Sequence, residues 1–356
     1  PQTFTSQNGI LINDSFTGAS AGQSLNFNAD SNGSGSGTFT IVSGSVIDSN
    51  NGFLSITAAD VNIAGTMTSG TKTTTIHPTK QRTIGLGLNS LDMNIETTEV
   101  QRITATGLII GSTGTANTKS NKSIQVKGLD ATVTGTITEV VTLLATVDDS
   151  QITFLTSDST FYGLDAKADN GIFVQAQIQT TNSYLYLDGD HDNSSSNHVT
   201  FAAGQTISAK TLLSIECRSG DQAIQRAGVL TLTAGTGILI LGDLTSTASN
   251  TPLVIHGDDD AQNNDGTVTV RDSHTITSSN SEVMLTAWDV DLAGGINSGT
   301  KGITIHGSKE DQTIGLGGNP SPSKNMWISD AEFGRITSQG GLRVGSSQIL
   351  AMSVQG

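Results

Sequence analysis

Aliphatic and hydroxyl-bearing residues alternate along this chain in short runs. Thr38-Phe39-Thr40-Ile41-Val42, Phe53-Leu54-Ser55-Ile56, Val61-Asn62-Ile63 and Thr74-Thr75-Ile76 place apolar residues at every second position, and Gly, Asn or Asp closes each run within a few residues. A period of two belongs to a strand with one buried face, so each run predicts a short strand whose Thr and Ser side chains point outward. Further runs of this style are Ser123-Ile124-Gln125-Val126, Ile152-Thr153-Phe154-Leu155, Gly171-Ile172-Phe173-Val174 and Tyr184-Leu185-Tyr186-Leu187. Residues 1 to 36 read as strand, turn, strand, with Asn8-Gly9 leading into Ile10-Leu11-Ile12 and Leu25-Asn26-Phe27 leading into a polar loop. Thr138 to Val147 suits a buried strand or a short outer helix, and its β-branched residues favour the strand.

The pattern also repeats at long range. Asp60 to His77 returns as Asp289 to His306 with 11 of 18 residues identical, inside a larger correspondence between Gly37–Ser112 and Gly266–Ser346. The offset is 229 residues from Gly37/Gly266 to His77/His306, 230 at Thr83/Thr313 and 234 by Gly107/Gly341, with Pro320 and Pro322 at a point of insertion. Gly9-Ile10-Leu11-Ile12 likewise matches Gly237-Ile238-Leu239-Ile240. Strands spaced roughly 8 to 13 residues apart suit a sandwich or a β-helix, and tandem duplication decides for the β-helix, because a stacked coil can continue itself and a closed sandwich cannot. The expected fold is therefore all-β, a parallel β-helix or β-solenoid of tandem repeats. Residues 1–228 would form the first repeat and 229–356 a partial second, in one continuous solenoid with no boundary near 229. Coils of roughly 20 to 28 residues would stack about 4.8 Å apart, with Ile76, Ile84, Ile303, Ile305 and Ile314 pointing inward.

Composition narrows this picture. With 41 Gly, 5 Pro and aromatics at 4%, the core must be thin and aliphatic, as in a solenoid. The formal charge of -15 argues against nucleic acid and against an anionic membrane surface, and points to cations as partners. Cys217 stands alone, so no intrachain disulfide is available. No apolar run approaches the roughly 18 residues that span a bilayer. A start at Pro1 without a signal peptide suggests a segment of a longer precursor.

One candidate chemistry recurs three times. Leu25 to Asn32, Leu185 to Asp192 and Leu253 to Asp260 each run from a strand into an oxygen-rich loop, giving Asn28, Asp30 and Asn32; Asp188, Asp190 and Asp192; and His256, Asp258 and Asp260. Spacing of i, i+2, i+4 is how calcium loops gather oxygen ligands, and the middle copy has the most carboxylates. The alternative is turn chemistry, since Asp and Asn close turns and tolerate left-handed backbone. Elsewhere there is no Gly-x-Ser-x-Gly elbow, His-Glu-x-x-His, phosphate loop or Cys cluster. The histidines are scattered, with His77 and His306 at one repeat position in a structural role. Gly85-Leu86-Gly87 and Gly315-Leu316-Gly317 read as tight corners, and Asn13, Asn32, Asn121 and Asn193 lie in glycosylation triplets.

Ile328-Ser329-Asp330-Ala331-Glu332-Phe333-Gly334-Arg335-Ile336-Thr337 followed by Gly341-Leu342-Arg343-Val344-Gly345 resembles a repeat of the filamentous-haemagglutinin-like proteins, giant β-solenoid surface proteins. The first copy keeps the same pair, Glu99 and Arg102 for Glu332 and Arg335, and Leu230 to Ile238 has the same coil style. On the residues alone, Glu and Arg three apart would meet across one helical turn, or the Arg would cap carbonyls at a turn. The resemblance implies a secreted, extracellular or cell-surface filament that self-associates, with no catalysis and with glycans among its partners. Two rivals are a carbohydrate-binding or carbohydrate-cleaving β-helix, which needs carboxylates and aromatics in one groove, and an ice-binding solenoid, which needs a flat ladder of outward Thr.

Overall fold

The computed structural model describes residues 1–88, 90–112, 121–193, 197–217, 223–318, 324–345 and 351–354. Pro320, Pro322 and Ser346 lie outside the described residues. The chain divides into two compact units, residues 1–172 with 180–183, and residues 173–179 with 184–356. Each is a parallel β-solenoid of short strands, as the alternation predicts.

In the second unit each coil contributes three strands, which pair in parallel with their counterparts in the next coil. Leu212–Glu216, Gly237–Leu241, Thr267–Val270 and Asp289–Leu292 form one face. Ile224–Arg226, Leu244–Ser246, Thr275–Thr277 and Gly295–Asn297 form another. Leu230–Ala234, Leu253–His256, Val283–Ala287 and Ile303–Gly307 form the third. Equal register stacks like on like. Ile215, Ile240, Val270 and Leu292 make one inward column, and Leu232, Ile255, Leu285 and Ile305 another, all buried. Thin aliphatic layers of this kind fill most of a narrow core, in which Phe201 is also buried.

The first unit is built alike, with Phe4, Phe27, Ile56, Ile76, Ile110, Leu143 and Ala166 in one column. Its core is not wholly aliphatic: Phe4 and Phe27 stack at 5.2 Å with Phe39 beside Phe27, and Phe154 and Phe161 are buried in later coils. Thr138 to Val147 contains the strand Val140–Ala145. Ile76, Ile84, Ile303, Ile305 and Ile314 are all buried, as the period-two reading requires. Duplication in sequence is duplication in structure: Thr38–Ile41, Val46–Asp48, Leu54–Ala58, Asp60–Ile63 and Thr66–Thr68 recur as Thr267–Val270, Thr275–Thr277, Val283–Ala287, Asp289–Leu292 and Gly295–Asn297.

Hydroxyls are not all outside, which amends the expected outward face. At the corner after each such coil a buried Ser turns its Oγ onto the carbonyl three residues on: Ser49 to Gly52 and Ser69 to Lys72 at 2.6 Å, Ser278 to Ser281 and Ser298 to Lys301 at 2.5 Å. A left-handed Asn then ties the corner to the next coil, Asn51 Oδ1 accepting Thr71 N–H and Asn280 Oδ1 accepting Thr300 N–H. Only glycine fits beneath that amide, because a Cβ on Gly70 or Gly299 would lie 2.2 or 2.3 Å from the Asn oxygen. Arg226, fully buried, serves a further corner. Its Nη1 donates to the carbonyls of Gly228 and Thr251 at 2.6 and 2.7 Å, and its Nη2 to Ser278 at 3.3 Å, with burial lowering its pKa to about 10.

The stacked core predicts a sharp contrast between neighbouring positions. Ile305→Asp puts an uncompensated charge into the dry column and should cost more than about 4 kcal/mol, whereas Met284→Asp, on an outward position, should stay within about 0.5 kcal/mol of wild type. Thermal unfolding of both variants checks the inward assignment; equal midpoints would refute it.

Candidate functional site

The repeated Glu and Arg mark a place where the stack is interrupted. Asp60–Ile63 is paired along one edge with Thr38–Ile41, while along its other edge Met93–Ile95 lies close by without a ladder. Main-chain groups facing that gap need other partners. Glu99 supplies two, its Oε1 accepting Ile63 N–H at 2.7 Å and its Oε2 accepting Glu96 N–H at 2.8 Å. Arg102 Nη1 donates to the Ile63 carbonyl at 2.8 Å, and Asp60 Oδ1 accepts Asn94 N–H at 2.8 Å. The short helix Thr97–Val100, closed by a capping box, carries Glu99 and sets Arg102 just beyond its end.

The second copy reproduces the clamp. Glu332 accepts Leu292 N–H at 3.1 Å and Ser329 N–H at 2.8 Å, Arg335 donates to the Leu292 carbonyl at 3.1 Å, and Asp289 accepts Trp327 N–H at 3.1 Å. The expected meeting of Glu and Arg across one turn is therefore corrected. Among the described residues neither pair is an ion pair; both side chains reach a strand that precedes them by 36 to 43 residues. The Arg does cap a carbonyl, but on that strand rather than at a turn.

Between the clamp and the strand lies an open pocket of about 490 Å³ bordered by Asp60, Asn62, Asn94, Glu96, Glu99 and Arg102. Burial pushes Asp60 and Glu99 above the usual carboxylate range, against the main-chain donors that hold them down. At Asp289 burial wins further, and the carboxyl is pushed up to about 6.

The acidic loops divide into buried and exposed members. In the first, Asp30 is fully buried and saturated: Oδ1 accepts Ser34 Oγ at 2.9 Å, and Oδ2 accepts Gly35 N–H at 2.9 Å and Thr79 Oγ at 2.6 Å. Asn28 and Asn32 accept the amides of Asp30 and Ser34, the signature of closed turns. In the second loop Asp188 and Asp190 are buried and Asp192 is exposed. Asp188 accepts Asp190 N–H and faces His191 at 3.1 Å, and Asp190 accepts the Asn197 amide at 3.2 Å. In the third loop Asp258 is fully buried and bonded to the Ser308 hydroxyl, while Asp260 faces Lys210 at 3.6 Å. Among the described residues no group of three or more His, Cys, Asp or Glu side chains is arranged to hold a metal ion.

No protein-family model, curated protein or solved structure matches the chain. The resemblance in the Glu/Arg phrase thus stands on those residues alone, and their geometry is what can be argued from.

Other sites fall out of the structure plainly. His77 and His306 are structural, bonded to Thr57 at 3.1 Å and Thr286 at 3.3 Å, respectively. Gly85 and Gly315 are not corners but lie within the strands Ile84–Leu86 and Thr313–Leu316, where a Cβ at Gly315 would strike the Trp327 ring at 2.1 Å. Asn121 is fully buried with its amide donating to the Leu144 carbonyl at 2.7 Å, so it is closed to glycosylation, whereas Asn13, Asn32 and Asn193 are exposed. Asp60 and Asp289 were missed in the sequence, although the Asp-Val-x-aliphatic phrase recurring ahead of each Glu/Arg pair was a usable signal.

Two outcomes follow from the clamp. Glu99→Ala strands two amides and should cost on the order of 2 to 4 kcal/mol by thermal or denaturant unfolding, more than Glu332→Ala, whose site is less buried. Equal, negligible losses would show that water replaces the carboxylate. Asp289 sets a pH dependence of known sign. Between pH 3.8 and about 6 the folded chain holds a proton there that the unfolded chain has released, so this group's contribution to stability falls as pH rises through that window. Asp289→Asn should flatten that part of the stability profile relative to wild type, and superimposable profiles would refute the assignment.

Proposed function

We propose that this chain is a structural and adhesive segment of a secreted extracellular fibre or cell-surface filament, in which residues 1–228 and 229–356 are a full and a partial copy in one continuing solenoid. The observation that carries the reading is what has been duplicated. Corners, core columns and the Asp/Glu/Arg clamp recur together, so the copied unit is an architecture, and an architecture copied in tandem lengthens a fibre. Self-association makes the assembly, and glycans on a cell surface are the ligands the adhesive role would need.

Sedimentation over a wide concentration range, with electron microscopy of the same samples, tests the proposal. The expected result is concentration-dependent species that grow in length. A chain that stays monomeric at high concentration overturns self-association.

A further inference from the structure

The third acidic loop keeps the architecture of the first but not its charge balance. Asp258 holds the place of Asp30, and its Oδ2 takes the Ser308 hydroxyl as Asp30 takes that of Thr79. The other oxygen is where they part. Asp30 Oδ1 receives the Ser34 hydroxyl, but the third loop has no Ser there, reading Asp259-Asp260-Ala261-Gln262-Asn263-Asn264-Asp265 before Gly266, and Asp265 precedes Gly266 as Ser36 precedes Gly37. The Ser34 donor has gone, and Asp259, Asp260 and Asp265 have been added.

The remaining groups of the loop are committed elsewhere. Asp259 faces His256 at 3.2 Å, Asp260 faces Lys210 at 3.6 Å and accepts Gln262 N–H at 3.0 Å, and Lys309 donates to Asn264 at 2.8 Å while lying 5.1 Å from the Trp288 ring centroid. Asp258 Oδ1 and Asp265 Oδ1 are left, both buried and both without a hydrogen-bond partner in the structure. Asp258 is 0% exposed, and a Cβ on Gly266 would lie 2.4 Å from its own Cβ, so the loop closes back directly onto it. Burial raises the Asp258 carboxyl, the Ser308 bond and Lys309 oppose that, and the charges of Asp260 and Asp265 add to the rise. A buried, unpaired carboxylate oxygen that feels the charge of a second carboxylate of the same loop is costly unless a cation joins them.

We propose that the loop from Asp258 to Asp265 is a binding site for a hard divalent cation, Ca²⁺ above all, with Asp258 Oδ1 and Asp265 Oδ1 as its side-chain ligands. Two carboxylates leave the remaining coordination to loop carbonyls and water, a mixture that Ca²⁺ accepts and that Mg²⁺ fits less well in an irregular loop. The ligand pair differs from the i, i+2 spacing, since Asp260 is turned to Lys210 and its place is taken by Asp265. The first loop, with a saturated Asp30, has no such vacancy for an ion.

Calorimetric titration of CaCl₂ into chelator-treated protein, with thermal unfolding in CaCl₂ or chelator, decides the matter. Wild type should bind Ca²⁺ and unfold at a higher temperature with it, because the ion favours the folded state by mass action. Asp265→Ser restores the first-copy residue at a half-buried position and should weaken binding about tenfold or more while leaving the circular dichroism unchanged. Asp258→Asn should also lose the response, and Asp192→Asn, in the middle loop, should keep it. No binding by wild type, or a response that survives in Asp265→Ser and disappears in Asp192→Asn, overturns the proposal. Binding is read on the isolated chain, so it stands or falls separately from filament formation.

Discussion

Parallel main-chain pairing from coil to coil is the constraint on which the remainder of this structure depends. A strand in a solenoid has no hairpin partner; its amides and carbonyls are satisfied by the coils before and after it. Where the ladder runs unbroken, as from Leu212–Glu216 to Asp289–Leu292, the side chains need only fill a column. Wherever the chain turns or leaves the stack, side chains must stand in for the missing strand.

Several of the charged and polar residues buried in this protein are explained by that need. Glu99 and Arg102 act on Ile63 as a neighbouring strand would, one accepting from its N–H and the other donating to its carbonyl. Arg226 does the same for corner carbonyls, and Ser49, Ser69, Ser278 and Ser298 do so for single turns. Asp30 and Asp258 bolt a loop to a coil about 50 residues later through Thr79 and Ser308. Burying such groups is favourable only when their bonding is complete, and for that reason the incomplete Asp258 differs in kind from the complete Asp30. A protein so short of aromatic and sulfur residues thus obtains its specificity from polar substitutions for backbone bonds.

Duplication gives these contacts an internal control. The clamp, the Ser corners and the Asn-to-Thr tie recur in both units with different neighbours, and the geometry is retained while surrounding residues change from Asn94 to Trp327 or from Glu96 to Ser329. Retention in both places means that these contacts do not depend on one particular set of neighbours. Divergence is then informative, as where the third acidic loop lacks the Ser34 donor and carries additional carboxylates.

Alternation of apolar and hydroxyl residues by itself determined the strands, their inward faces and the parallel β-helix, because a period of two and a tandem copy leave few other folds that bury one face. It also marked the acidic loops and the Glu/Arg pair as positions of interest. What those residues do was decided only by tertiary structure. Glu99 is three residues from Arg102 in sequence, yet its partner is Ile63, 36 residues away. Asp30, Asp188 and Asp258 look alike in their loops; a distant coil brings a hydroxyl to both Asp30 and Asp258, and the way each loop folds back gives Asp30 the Ser34 hydroxyl while Asp258 Oδ1 receives none. Ser278 is buried because a corner folds its chain back over it. Hydrophobic periodicity is a property of neighbours along the chain, whereas hydrogen-bond completion depends on which coil comes to lie beside which, and that is not written in any one stretch.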